Sequence, residues 1–181
     1  MAKLASPTVR RFTLLLVSSA LAVCTEVKTK QYTDPEGCIK TYRVATGRVL
    51  TARGMVEDPT VNAIMKEAFS GQMNPLKIKE AGKDADIELR FMSGNGAGVQ
   101  IDDPTIGDMA MWNIGGPQPI SGRSYKKSNL LIGAFDNRSK QTLWAARCTD
   151  NFGDPNKLQE RIQKAVAKAF AKFPKKMVCG T

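Results

Sequence analysis

Residues 130–148, LLIGAFDNRSKQTLWAARC, decide the fold class. Two runs rich in β-branched, aromatic and small apolar residues, 130–135 and 142–148, flank a polar turn, Asp136-Asn137-Arg138-Ser139-Lys140. Apolar runs of that length around a polar turn read as an antiparallel hairpin. Upstream, Ile87-Glu88-Leu89-Arg90-Phe91 alternates strictly, as a half-exposed strand does, with three apolar side chains facing inward. Residues 99–101 are its expected return strand, 109–114 another strand closed by Gly115-Gly116-Pro117, and 39–44 the first strand of the domain.

Helical periods bracket these strands. Asp58 can cap and Pro59 suits a first helical position; Val61, Ile64, Met65, Ala68 and Phe69 then fall on one stripe. Gly71 and Asn74-Pro75 are the expected stop. Asp154-Pro155 repeats the start device, and Leu158, Ile162, Ala165, Val166, Ala169, Phe170 and Phe173 trace a second stripe up to Pro174. The order β-α-β-β-β-β-β-α predicts an α+β fold of two layers, a mostly antiparallel sheet with two helices packed on one face. Residues 45–57 read as a polar link.

The 181 residues suffice for one core of ordinary size. There is no histidine, which excludes Ser-His and Cys-His catalysis and every metal site that needs imidazole. Mean hydropathy is −0.28, and the single short apolar run excludes a multi-span membrane protein.

That run opens the chain. Lys3, Arg10 and Arg11 form a basic region, residues 12–22 are uncharged and mostly apolar, and Ala20-Leu21-Ala22 offers the small-x-small pattern of a cleavage site. Residues 1–22 therefore read as an export signal, 23–38 as a polar lead-in or tether, and 39–181 as one domain. Leu21-Ala22-Val23-Cys24 resembles a bacterial lipobox, whose cysteine becomes the acylated first residue, although Val23 stands where that motif takes Gly, Ala or Ser. Cleavage after Ala22 and lipidation of Cys24 are both open. The expected location is the periplasm, with a membrane anchor if Cys24 is acylated.

With Cys24 unmodified, four cysteines allow three disulfide pairings. With it acylated, Cys38, Cys148 and Cys179 allow one bridge and leave one thiol. No C-x-x-C spacing occurs, so a disulfide in an oxidising compartment is the expected use, and no metal or cofactor is expected.

Charge is uneven. The formal net charge is +10, of which the signal carries +3. Residues 157–176 hold seven cations against Glu160. Lys157, Arg161, Lys164, Lys168 and Lys172 line one helical stripe, an expected contact for a membrane surface or another anionic envelope component. The rest of the domain is nearly neutral, unlike a protein that coats nucleic acid.

No catalytic motif survives inspection. The glycines at 94, 96 and 98 open no helix and lack a P-loop lysine. Asp102 and Asp103 are adjacent, so on a strand they point to opposite faces; they support only the alternative of a small carboxylate hydrolase. Ser124 with Lys127 sits in a loop, Asn137-Arg138-Ser139 is a glycosylation sequon on a turn, and Asp84 and Asp86 flank a strand start.

Several short features, taken in order, resemble a known family. They are Thr41-Tyr42, the helix from Val61, Ala85-Asp86-Ile87-Glu88-Leu89, Leu131-Ile132-Gly133-Ala134-Phe135-Asp136, Gln141-Thr142-Leu143-Trp144, and a last helix closing on Phe173-Pro174. Across residues 39–176 they resemble the bacterial family of predicted lipoproteins bearing domain of unknown function 4136. The resemblance implies export, frequent lipid anchoring and an α+β fold, and it brings no catalytic residue. The expectation is a non-enzymatic envelope protein with a binding or structural role.

Overall fold

A computed structural model describes residues 26–51, 54–94, 128–150, 152 and 154–180. Its long strands are β6 (Ile87–Gly94), β7 (Ser128–Asp136) and β8 (Thr142–Asp150). They pair antiparallel, Ile87 opposite Asp136 and Leu130 opposite Cys148, so the hairpin expected at 130–148 forms. β1 (Glu26–Gln31) adds to the free edge of β8, antiparallel, with Glu26 opposite Thr149. Part of the expected tether is therefore an edge strand. Its alternating Val-Lys-Thr-Lys pattern is too polar to stand out in the sequence, yet it presents Val27 to the core.

The other edge of β6 is parallel. β2 (Thr41–Val44) runs beside Ile87–Leu89, and β3 (Arg48–Thr51) continues along the same edge beside residues 92–94. β4 (Gly54–Val56) folds back on β3, and β5 (Lys79–Glu80) lies parallel to β2. The sheet is thus mixed rather than wholly antiparallel, with most of its pairing antiparallel as expected. The parallel partners of β6, β2 and β3, reach it through β4 and α1, a connection long enough for a crossover. Residues 45–57, expected to be a link, hold β3 and β4, which are too short to show a period. Expected strands at 99–101 and 109–114 lie outside the described residues.

Helix α1 (Pro59–Met73) starts as its sequence dictates, Asp58 Oδ1 accepting from the amides of Thr60 and Val61 at 2.9 and 3.1 Å. It runs through Gly71 and ends at Asn74. Helix α2 (Leu158–Phe170) begins later than Asp154-Pro155, because that pair instead opens a 3-10 turn, Pro155–Lys157. It also stops before Phe173. Both helices cover the face bearing Ile87, Leu89, Phe91, Leu130, Ile132, Trp144 and Cys148.

Aromatic rings join the layers. Phe69 of α1 meets Phe91 edge-on at 6.4 Å and Phe170 of α2 at 5.9 Å, and Trp144 lies 5.3 Å from Phe170 and 5.2 Å from Phe173. The Phe91 ring also fixes the break between β2 and β3. A Cβ at Gly47 would sit 2.1 Å from Phe91 Cζ, so only glycine fits. Asn62 of α1 holds that glycine in place, accepting from its amide at 2.7 Å.

Cys38 and Cys179 form a disulfide across 141 positions. Beside it the Ile39 amide donates to Met177 O at 2.8 Å, so the last residues seal onto the start of the domain. Cys148 is a buried thiol whose Sγ lies 3.5 Å from Ala165 O.

Two stability outcomes follow. The double variant Cys38→Ser/Cys179→Ser should lose about 2–5 kcal/mol in urea unfolding, the larger end reflecting the long closed loop. Gly47→Ala should lose about 1–3 kcal/mol by overpacking against Phe91, and an unchanged midpoint would refute the close approach.

Candidate functional site

The sheet has two ends. At one, β6 starts, β7 ends and β1 ends; at the other lie Gly94, Ser128, Asp150 and Glu26. The first end carries a polar hollow.

Its frame is built on Asp86. The Asp86 carboxylate accepts from the Lys40 amide at 2.9 Å, the Thr41 amide at 3.0 Å and Thr41 Oγ1 at 3.0 Å. Thr41 Oγ1 in turn accepts from the Asp86 amide at 2.9 Å. Burial alone would raise the Asp86 pKa; the donors from Lys40 and Thr41, with Arg138 nearby, outweigh it and hold the carboxyl below its ordinary range. On the far side Asp86 O accepts from the Asn137 amide at 2.9 Å.

The turn between β7 and β8 is equally fixed. Asp136 Oδ1 accepts from the amides of Arg138 and Ser139 at 2.8 and 2.7 Å, an Asx turn that closes on Lys140 in a left-handed conformation. Asn137 Nδ2 donates to Lys83 O at 2.6 Å, and Lys140 Nζ donates to Asn137 Oδ1 at 2.8 Å. The sequon amide is thereby committed inside the turn.

Between this turn, the 83–85 loop and β2 lies a hollow of about 490 Å³. Arg43, Lys83, Arg138 and Lys140 line it, against Asp84 as the acid. Behind it Glu88, 3% exposed, is shared by Arg43 and Arg90, and the Arg90 guanidinium lies 4.7 Å over the Phe135 ring. Arg43 Nε is buried and has no hydrogen-bond partner among the described residues.

Other expected site residues lie elsewhere. Arg161 of the α2 stripe pairs with buried Asp150 at 2.7 Å, Lys164 pairs with Glu160, and Lys172 Nζ donates to Val27 O at 2.8 Å. Lys157 is exposed and Lys168 half-buried. Arg161 and Lys172 of the stripe therefore hold α2 and its exit against β8 and β1. Cys24, Asp102, Asp103, Ser124 and Lys127 lie outside the described residues. Among the described residues no three His, Cys, Asp or Glu side chains cluster as metal ligands would.

The cations of the hollow escaped the sequence reading because positions 43, 83, 138 and 140 form no motif; only the pairing of β2, β6 and β7 assembles them. The turn at 136–140 was visible, but not what it faces.

Three comparisons bear on this geometry. A family model described as Domain of unknown function (DUF4136) matches residues 29–175. No curated protein matches this chain. Among solved structures the chain is similar to a DUF4136 family protein from Bacteroides thetaiotaomicron, with 14% identity and a TM-score of 0.55, covering 83% of this chain and 96% of that one. It is similar also to a PDZ domain protein from Parabacteroides distasonis, with 13% identity and a TM-score of 0.51, covering 82% of this chain but 35% of that one. At these identities the likeness is one of fold.

The lowered Asp86 pKa makes a pH-dependent prediction. Its stabilisation is fully present above the ordinary aspartate value of about 3.9 and is lost as pH falls through the lower folded value. Asp86→Asn should unfold more readily than the native chain at neutral pH, and the gap should begin to shrink once pH falls below about 4. A gap that stays constant across the acid range would remove the carboxylate from its role.

Proposed function

The chain belongs to the DUF4136 family, and from that premise we propose that it is an exported, lipid-anchored envelope domain that binds a ligand and catalyses no reaction. The observation that carries the reading is the Cys38–Cys179 disulfide. Disulfides persist in oxidising compartments outside the cytosol. The bridge also leaves Cys24 outside the paired cysteines, while Cys148 is fully buried beneath α2.

Binding is supported over catalysis by the state of the buried acids. Glu88 is shared by two arginines, Asp150 is paired with Arg161, and Asp136 accepts two turn amides. A carboxylate so engaged holds structure rather than moving protons.

Anchoring has a geometric consequence. Cys24 precedes Glu26 by two residues, a reach of at most about 7 Å. The β1 edge therefore lies next to the membrane, and Lys172 Nζ on Val27 O sets the basic flank of α2 beside that edge. Lysines so placed attract anionic headgroups by about 1 kcal/mol each.

The test is expression with the native leader in a Gram-negative host, with an alkyne fatty acid as label. The native protein should carry the label and sediment with membranes, and Cys24→Ser should lose both. An exported, unlabelled, soluble native chain would overturn the anchor. On the labelled protein, Lys157→Glu/Lys168→Glu should weaken association with anionic vesicles and leave neutral ones unaffected.

A further inference from the structure

We propose that the hollow at the Asp86 end of the sheet binds a small hydroxylated ligand bearing one carboxylate or phosphate group, and that it opens away from the membrane. The ligand class follows from the lining. The direction rests on the anchor proposed above.

Charge carries the first step. Arg43 and Arg90 share the single carboxylate of Glu88, so this cluster behind the hollow retains one positive charge. Both arginine side chains are only partly buried, and an anion reaching Arg43 from the hollow would balance the remaining charge. Arg43 suits that role: it lines the hollow, and its buried Nε–H has no acceptor among the described residues. Lys83, Arg138 and Lys140 add three further cations on the rim.

Hydrogen bonds from neutral amides leave Asp86 and Asp136 charged, and Asp86 attracts Arg138. Their oxygens are occupied by Lys40, Thr41 and the turn amides, however, and neither lines the hollow, whose own walls carry four cations against Asp84. A concave site whose walls carry four cations against one acid concentrates field on an incoming anion. Arginine adds directional donors matched to carboxylate and phosphate oxygens.

Two features narrow the ligand beyond its charge. Asp84 faces the same hollow, and a carboxylate there repels a second anionic group but accepts from a hydroxyl. About 490 Å³ suits a molecule the size of one sugar ring rather than a bare ion. A uronate and a sugar phosphate share the required chemistry. The site is preorganised, because Asn137 ties its turn to Lys83 O and Asp86 ties both to β2. Little ordering entropy is then lost on binding.

Position gives the direction. Glu26, next to Cys24, pairs with Thr149 near the end of β8, whereas the hollow lies beyond Asp136 at the end of β7. β7 has nine residues, about 30 Å at the usual rise, so anchor and hollow sit at opposite ends of the sheet.

The experiment is calorimetric titration of the purified full chain with glucuronate, glucose 6-phosphate, inorganic phosphate and glucose. Saturable binding is expected for glucuronate or glucose 6-phosphate, weaker binding for phosphate, and none for glucose. Lys83→Gln/Arg138→Gln changes two exposed side chains and should weaken binding by at least about tenfold, with an unchanged melting temperature. Lys157→Gln, at the other end, should leave binding intact.

Absence of binding by both sugar acids, equal binding of glucose, or insensitivity to the double variant overturns the site. Repeating the titration on protein held in anionic nanodiscs tests the direction. Unchanged affinity supports a hollow facing away, whereas loss of binding there overturns the direction alone. A chain without an acyl group overturns the anchor and the direction while the ligand measurement in solution stands.

Discussion

The Asp86 carboxylate is the point on which the arrangement turns. It draws in the amides of Lys40 and Thr41 at the start of β2, and its own main chain grips Thr41 Oγ1 and the Asn137 amide. One residue thereby fixes three chain segments that are far apart in sequence. A parallel pair lacks a tight turn to set its register. Here the side chain sets it, placing Tyr42 opposite Ile87 and Arg43 opposite Glu88. A one-residue slip would send Tyr42 out of the core and Arg43 into it.

The sheet separates two chemistries between its faces. On the helix side a run of touching rings, Phe91, Phe69, Phe170, Trp144 and Phe173, makes one continuous apolar layer. On the opposite face the alternate residues of β6 carry Glu88 and Arg90, backed by buried Leu131 and Phe135. The strict alternation of 87–91 is the sequence trace of this division. Even the basic residues of α2 obey it, since Arg161 reaches around to Asp150 rather than entering the apolar layer.

What could be read from the sequence tracks the length of each element. The β7–β8 hairpin, β6 and α1 have enough residues to show a period, and α1 also carries its Asp58-Pro59 start. β1, β3, β4 and β5 have two to six residues each and draw their order from a neighbour's backbone, which leaves no pattern in their own side chains. The parallel pairing was hidden because direction belongs to the connection, not the strand. Thr41-Tyr42 and Ala85-Asp86 stood out only as family-like dipeptides, and the hydrogen bonds between Thr41 and Asp86 give them a physical meaning. The basic hollow left no trace, since its four cations are assembled from three segments.

The disulfide also divides the molecule mechanically. Residues 38–179 form a covalently closed ring, while β1 lies outside it, held to β8 by its hydrogen bonds. A force applied at the N-terminus is borne first by those hydrogen bonds, and β1 can peel from the edge while the ring keeps its fold. Once peeled, residues 26–37 become about 40 Å of extendable strap. The domain would then yield under load in two stages, with the weaker stage at the edge strand and the hollow at the far end left intact.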